Sequence, residues 1–478
     1  MPVIIPPDSL VISSTVSESS VRQAVHKALR NWRTIGGDIE NLLMFLLVMH
    51  QAQRQPLHLQ TPAMLRQTTN DFLESNLEIL AQKNPIGAAI IDGRFCERKT
   101  MGKVAESLNF SEDYAYNLQR KALKELGQII YGLEVTARRQ YQYELEANLP
   151  YNYCNTRLFG VENARHQLTQ CLLNPEMPPI VVLYGIGGIG KSSLACAVAQ
   201  DIIQTFFFGN IIWLEIDGAN DDEWVTNLTR KTTASSSTNE LIAHPRHLLK
   251  ANRYLVIIDN LETPEDLHQI LATIQTFHGP SRFLLTSRIQ PEAGHYFLQP
   301  LSDISFAEAH ALLQNQMMLS SQHHTGDLLT VEEAQAIYNV VGGNPLALKL
   351  VAGLRLHFSA EHILAELKEA VHTGIAGLYH AIYWKAWHNL TSYAHRLLRA
   401  MTLIAPTELG GSLEQIQSIS QLSNVQFMQA VTELITYSLL EPHNRGAQKR
   451  YSIHPITRTF LLKEVIRWSD DTRANASN

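Results

Sequence analysis

Ile180-Val181-Val182-Leu183-Tyr184, followed at once by Gly185-Ile186-Gly187-Gly188-Ile189-Gly190-Lys191-Ser192, is the stretch that decides the fold. Five apolar residues without polar alternation suit a strand buried on both faces. The octapeptide fits GxxxxGK[ST], in which glycines let successive backbone N–H groups converge on a phosphate chain. The helix that follows offers its positive end to the same charge. Gly185, Gly187, Gly188, Ile189 and Gly190 form the expected cradle, with Ser193 in the first helical turn. Lys191 is placed to reach the β- and γ-phosphates and Ser192 to ligate Mg²⁺. The competing reading is a ligand-free glycine-rich βα turn.

Downstream, Arg253-Tyr254-Leu255-Val256-Ile257-Ile258-Asp259-Asn260 is an apolar strand ending in a carboxylate. Asp259 suits the second Mg²⁺ position of a phosphate-loop NTPase. Asn260 stands where many such ATPases carry a second acid, and an amide cannot take a proton. Glu262 is the nearest carboxylate. Slow ATP hydrolysis is therefore expected, with the nucleotide acting more as a switch than as fuel. The next strand ends Thr286-Ser287-Arg288, and the planar fork of Arg288 suits a γ-phosphate contact. Lys191, Asp259, Asn260 and Arg288 are the catalytic candidates.

The chain has 478 residues, 45% hydrophobic and 18% charged, so several globular domains are expected. A net charge of -6 excludes a polycationic coat over the whole molecule, although local basic surfaces remain open. Cys96, Cys154, Cys171 and Cys196 lie far apart and form no CxxC, which suggests neither a disulfide framework nor a zinc site. A reducing, cytoplasmic setting fits. The N-terminus MPVIIPPDSL is wrong for a secretory signal. The longest apolar run, Leu42 to Met49, falls far below the roughly 20 residues that span a bilayer, so no membrane segment is expected.

Composition and periodicity divide the chain. Residues 1–15 look loose, and 16–147 read as an all-α domain. There Val21, Val25, Leu29 and Trp32 keep helical spacing, followed by helices over Ile39 to Gln53 and Met64 to Leu80, with breakers at Gly36-Gly37, Pro56, Pro62 and Pro85. A linker at Asn148–Asn152 leads to a nucleotide-binding α/β domain over 148–300. Its strands are expected at Ile180–Tyr184, Ile211–Ile216, Tyr254–Asp259, Arg282–Ser287 and Tyr296–Leu298, forming a parallel sheet with helices on both faces. Thr232–Thr238 reads as a surface loop. Helices dominate again from Ser305, and 471–478 read as a loose tail.

The order of these motifs resembles the NB-ARC branch of the STAND ATPases, which includes plant disease-resistance proteins, apoptotic protease-activating factors and bacterial signalling and antiphage proteins. Leu158-Phe159-Gly160-Val161-Glu162 is similar to the family's adenine-side motif, with Val161 where an Arg is usual. Val341-Gly342-Gly343-Asn344-Pro345-Leu346-Ala347-Leu348 is similar to its helical-domain motif, whose proline packs near adenine. Val431 to Pro442 and Tyr451-Ser452-Ile453-His454-Pro455-Ile456 resemble its winged-helix domain, with Pro455 replacing the usual Asp. The resemblance implies a small helical domain over 301–378 and a winged-helix domain over 379–470. It implies ATP/ADP with Mg²⁺ as cofactors, held by Phe159, Gly160, the phosphate loop, Pro345 and His454, the last contacting the ADP β-phosphate. It further implies self-association in the ATP state and a protein partner supplying the trigger or effector.

Thr100 to Gly127 reads as a helix-turn-helix, with Asn109 leaving the first helix in the left-handed region and Ser111 capping the second. Val104, Ala105, Leu108, Phe110, Ala115, Leu118 and Leu126 form its expected core. Tyr114, Asn117, Gln119, Arg120 and Lys121 are candidate DNA contacts, but Glu112 and Asp113 sit where a recognition helix first meets the groove. A DNA-binding and a protein-binding role both stay open. Three functions compete: an ATP/ADP switch coupled to an N-terminal effector or adaptor in bacterial signalling or antiphage defence, an ATP-regulated transcription regulator, and a nucleotide-holding scaffold with negligible hydrolysis.

Overall fold

Helix starts in the N-terminal third are set by short polar side chains. Ser17, Thr61, Asn84, Thr100 and Ser111 each accept a hydrogen bond from a backbone N–H of the first turn. They open α1 (Glu18–Arg30), α3 (Pro62–Lys83), α4 (Pro85–Ile91), α5 (Met101–Ser107) and α6 (Glu112–Glu146), with α2 (Leu47–Ala52) between the first two. The computed structural model describes residues 16–34, 41–52, 61–154, 157–216, 223–233, 249–250, 252–277, 279–292, 294–320, 329–371, 374–404, 410–445 and 448–466. The expected loose ends, the Gly36-Gly37 and Pro56 breakers and Ala234–Thr238 lie outside these residues. Ile39 to Gln53 is not one helix. Asn41 caps a 3₁₀ turn over Leu42–Phe45, Leu46 is extended, and α2 starts afresh.

Two expectations gain detail around α6. Asn109 is left-handed (φ 57), as its place at the end of α5 predicts. The helix entered at Ser111, however, continues past residue 127 to Glu146. Its buried stripe Leu126, Ile130, Glu134, Ala137, Tyr141 and Leu145 first packs on α1, then on α2, and finally on the nucleotide-binding region. Leu126 belongs to the bundle with α1 and not to the small cluster of Ile90, Met101, Val104, Ala105 and Ala115 under the turn. Glu134 is wholly buried and accepts from the backbone N–H groups of Leu47 (3.1 Å) and Val48 (2.9 Å), while Arg138 donates to it at 2.6 Å. It therefore caps α2 with a paired charge. Further along, the Tyr141 hydroxyl donates to the Phe208 carbonyl at 3.0 Å, and the Arg138 guanidinium lies 4.7 Å from the Phe206 ring centre.

After the one-turn α7 (Tyr151–Cys154) and α8 (Glu162–Leu173) come β1 (Ile180–Tyr184), α9 (Lys191–Ile203), β2 (Asn210–Glu215), α10 (Glu223–Thr233), β3 (Tyr254–Leu261), α11 (Pro264–Ile274), β4 (Arg282–Ser287) and β5 (Phe297–Pro300). The sheet is wholly parallel, in the order β2-β3-β4-β1-β5. Alternate residues supply two cores. Val181, Leu183, Trp213 and Ile257 face α8, α9 and the end of α6; Val182, Ile212, Val256 and Phe283 face α10 and α11. The helices on both faces bear out the expected α/β architecture.

The remainder is helical with one small sheet: α12 (Phe306–Ser320), α13 (Val331–Val341), α14 (Pro345–Arg355), α15 (Ala360–Val371), α16 (Gly374–Asn389), α17 (Ser392–Leu403), β6 (Gly411–Ser412), α18 (Leu413–Ser420), α19 (Asn424–Thr436), β7 (Glu441–Arg445), β8 (Gln448–Ser452) and α20 (Pro455–Phe460). The three strands pair antiparallel in the order β6-β8-β7. Residues 304–461 contribute to one continuous apolar core. The expected boundary between 378 and 379 falls within α16, whose Tyr383 hydroxyl lies 3.0 Å from Thr457 Oγ1 of α20.

The expectation of no disulfide needs correcting. Cys154 of α7 and Cys196 of α9 are bonded, with Cα atoms 5.6 Å apart across 42 residues of sequence. Spacing along the chain could not show this, because packing of α7 on α9 brings the two together. Cys96 and Cys171 are free thiols.

Candidate functional site

The phosphate loop leaves the tip of β1 and enters α9 through Gly190, whose φ of 101° lies where side chains are strained. No side chain caps α9, and its first turn holds no acid, so its leading N–H groups stay available to an anion. Lys191 folds back over the loop, its ammonium donating to the carbonyls of Gly185 (2.8 Å) and Ile186 (3.0 Å). Burial and the neighbouring Arg288 charge lower its pKa to about 8.

Ser192 donates to Asp259 Oδ1 at 2.7 Å, so the two expected Mg²⁺ ligands stand side by side. Asp259 is only 1% exposed and sits where the β3–β4 register shifts between Ile258 and Leu261. Burial raises its pKa, opposed by hydrogen bonds from Thr286 and Ser192 and by the Lys191 charge. Two hard oxygen donors beside a phosphate cradle fit Mg²⁺. Asn260 takes a left-handed conformation (φ 72) and donates its side-chain N–H to the Ile216 carbonyl at 3.0 Å, while its backbone N–H binds Thr286 Oγ1 at 3.0 Å. The amide is thus tied to the end of β2. Glu262 is ion-paired with Arg288.

Residues distant in sequence close over the loop. Asn344 donates to the Gly187 carbonyl at 3.0 Å and caps α14, its Oδ1 accepting from the N–H groups of Leu346 (3.1 Å) and Ala347 (3.3 Å). Leu346 N–H donates to the Gly188 carbonyl at 3.3 Å, and the Tyr379 hydroxyl donates to Asn344 Oδ1 at 2.8 Å. A Cβ on Gly188, already at φ 76°, would stand 2.3 Å from that hydroxyl. From the far end of the chain, His454 caps α20, its Nδ1 accepting from the Ile456 N–H at 3.2 Å. That bond leaves the proton on Nε2, and burial lowers the ring's pKa to about 4, so a neutral imidazole results. A Cβ added at Gly187 would stand 3.2 Å from Ile456 Cδ1, so the loop and the start of α20 approach closely at this glycine.

One pocket gathers these parts: Phe159, the loop residues Gly187 to Ser193, Asp259, Asn260, Arg288, Pro345 and His454 all line it. Gly185 lies just behind the loop, beneath the Lys191 ammonium. Gly160, at φ 67°, turns the chain next to Phe159, whose ring lies 5.0 Å from the Arg157 guanidinium. The chain matches the NB-ARC domain over residues 161–320. The segment from residue 161 to 320 is similar to that family. Among curated proteins it is 28% identical over 271 residues to the "Putative inactive disease susceptibility protein LOV1" of Arabidopsis thaliana, covering 52% of this chain and 36% of that one. It is 23% identical over 212 residues to the Disease resistance protein RPP13 of the same plant, covering 41% and 25%. It is 24% identical over 220 residues to the Putative disease resistance protein RGA4 of Solanum bulbocastanum, covering 43% and 22%. The chain thus spans about a third or less of the length of these relatives. A crystal structure of a STAND protein with a tetratricopeptide repeat sensor from Pyrococcus horikoshii aligns with 68% of this chain and 45% of its own, at 18% identity and TM-score 0.41.

None of the candidate DNA contacts lines this pocket. Tyr114, Asn117, Arg120 and Lys121 are exposed along α6, Gln119 is half-buried, and Lys121 pairs with Glu125 at 3.9 Å. Among the described residues no helix is long and apolar enough to cross a membrane. Sequence reasoning missed Tyr153, Lys349 and Glu441 as pocket residues, and Tyr379, which braces Asn344 over the loop. Glu441 and Lys349 stood inside or beside quoted motifs, whereas no local signal marks the two tyrosines.

Proposed function

We propose that this chain is an ATP/ADP-controlled switch of the STAND type, at rest when nucleotide holds the NB-ARC, small helical and winged-helix units closed. The observation that carries this reading is the meeting of Gly187–Gly188, Asn344–Pro345 with Tyr379, and His454–Ile456 around one phosphate loop. In it, Lys191 and the loop N–H groups bind the phosphates, Ser192 and Asp259 hold Mg²⁺, and Phe159 and Pro345 flank the base. His454 offers its Nε2–H to the β-phosphate. The metal, when bound, neutralises phosphate charge. Arg288 must leave Glu262 to reach a γ-phosphate, and Asn260 offers no base, which together favour slow turnover. ATP shifts the equilibrium only through its differential affinity for the open form.

In the open form the chain self-associates and displays its N-terminal helices to a protein partner in cytoplasmic signalling or defence, of bacterial type. The disease-resistance relatives support the defence setting. Light scattering with ADP and with ATP tests this. A mass that rises with ATP and stays monomeric with ADP is expected; equal masses would refute the switch. The helix-turn-helix reading of α5 and α6 favours a second output, DNA binding, because Tyr114, Asn117, Arg120 and Lys121 are exposed. Salt-dependent DNA binding that is lost on changing Arg120 and Lys121 would establish it.

A further inference from the structure

Arg157, Leu158 and Phe159 lie between α7 and α8, and all three line the nucleotide pocket. Gly160 turns the chain closely against the start of α12, where a Cβ on it would stand 3.2 Å from Ile304 Cγ2 and from Glu308 Cγ. That turn seats Phe159, 8% exposed, in the core it shares with Leu312 and Leu346. The phosphates belong at the loop and the first turn of α9, which leaves the apolar lining of Leu158, Phe159, Val161, Leu312 and Pro345 for the base. Arg157 is mounted on this wall. Its guanidinium lies over the Phe159 ring, 5.0 Å from the ring centre, and among the described residues it has neither a hydrogen-bond nor an ion-pair partner. Lys191, by contrast, is held by the loop carbonyls and Arg288 by Glu262. The Arg157 side chain is therefore positioned by a ring and not by a counter-ion. A guanidinium is planar and weakly hydrated, and this exposed one, covered by Phe159 on one side, keeps its other face for a second flat π-system.

We propose that Arg157 is a base-binding residue, stacking its guanidinium plane on the nucleotide's purine while Phe159 backs it. The inference rests on the nucleotide reading of the pocket and adds to it a contact outside the phosphate cradle. The attraction to phosphate charge is supplied by Lys191 and the N–H groups of α9, so the work of Arg157 is separate from theirs. A stacked contact needs the plane as well as the charge, and a lysine ammonium has no plane to offer. Being short-ranged, it is also screened little by salt, unlike the attraction of an exposed cation to a phosphate.

The full chain is titrated calorimetrically with ADP at stepped KCl concentrations, alongside Arg157→Met and Arg157→Lys. Both variants keep a long stem over Phe159, so their melting temperatures without nucleotide should match wild type. Both should bind ADP about three- to thirtyfold more weakly, the range of a cation stacked on one ring system, and by the same factor at every salt concentration. Wild-type affinity in Arg157→Met would overturn the proposal. Wild-type affinity in Arg157→Lys, or a loss that fades as KCl rises, would overturn it by assigning Arg157 to a phosphate. Melting temperatures that fall in both variants would overturn it by assigning the weaker binding to the packing of Phe159. A wild-type chain that does not bind ADP at all would instead refute the nucleotide site itself, and the inference with it, whereas each of the variant outcomes leaves that site standing.

Discussion

The N-termini of α9 and α6 both expose the positive end of a helix dipole, yet they are prepared for opposite partners. α9 starts at Gly190 with no side-chain cap and no acid in its first turn, whereas Ser111 caps α6 and Glu112 and Asp113 follow at once. The first leaves its N–H groups for a ligand; the second satisfies them from within. A helix terminus thus becomes an anion site through what its own sequence withholds, and here through the segments that close over it. The α6 terminus projects exposed Glu112, Asp113 and Tyr114.

The contrast is most severely tested by Lys191→Ala, which should weaken binding of fluorescent ADP by about 100-fold, the upper range for charge-assisted contacts. Because the Lys191 pKa lies at about 8, wild-type affinity should also fall as pH rises through that value, and a pH titration lacking this fall would contradict the assigned contact. Gly188→Ala should destabilise the closed arrangement by about 3 kcal/mol, since it adds left-handed strain and drives a methyl into Tyr379. Thermal unfolding, together with a larger radius by X-ray scattering, would register it.

His454→Ala should release ADP about tenfold faster, comparable to one lost hydrogen bond to a charged group. The pH dependence has a definite sign. The folded state holds the ring neutral while the unfolded chain protonates near 6.5, so the contribution is complete above about pH 6.5 and is lost as pH falls towards about 4. A melting profile whose acid limb is identical in wild type and His454→Ala would exclude this group as its source. The smallest effect belongs to the α6 terminus. Ser111→Ala should cost about 1 kcal/mol of stability and leave ADP affinity unchanged; a change in affinity would mean that the two termini are coupled.

The sheet and the loop were legible because their signals are local. Uninterrupted apolar runs fixed five parallel strands, and the spacing from Gly185 to Ser192 placed the cradle at the tip of β1. Asp259 followed from its position at a strand end. The apolar spacing that continues through Ile130, Ala137, Tyr141 and Leu145 was visible as helix, but the turn before Ser111 drew attention to a shorter unit. Buried Glu134 interrupts that stripe and is explained only by the N–H groups of Leu47 and Val48, which lie far away in sequence. The Cys154–Cys196 bond and the Tyr379 contact likewise depend on tertiary packing, which no window of sequence contains.

The unbroken course of α6 makes it a lever. Tyr141 is pinned to the Phe208 carbonyl beside the nucleotide-binding sheet, and Tyr114 lies 27 residues (141 − 114) nearer the other end, an arm of about 40 Å at 1.5 Å per residue. A tilt of about 5° at the pinned end would carry Tyr114 through an arc of about 3.5 Å. An angular change beside the sheet would therefore arrive at the N-terminal surface magnified in proportion to helix length, carrying with it the helices α1, α3 and α4 that pack on α6.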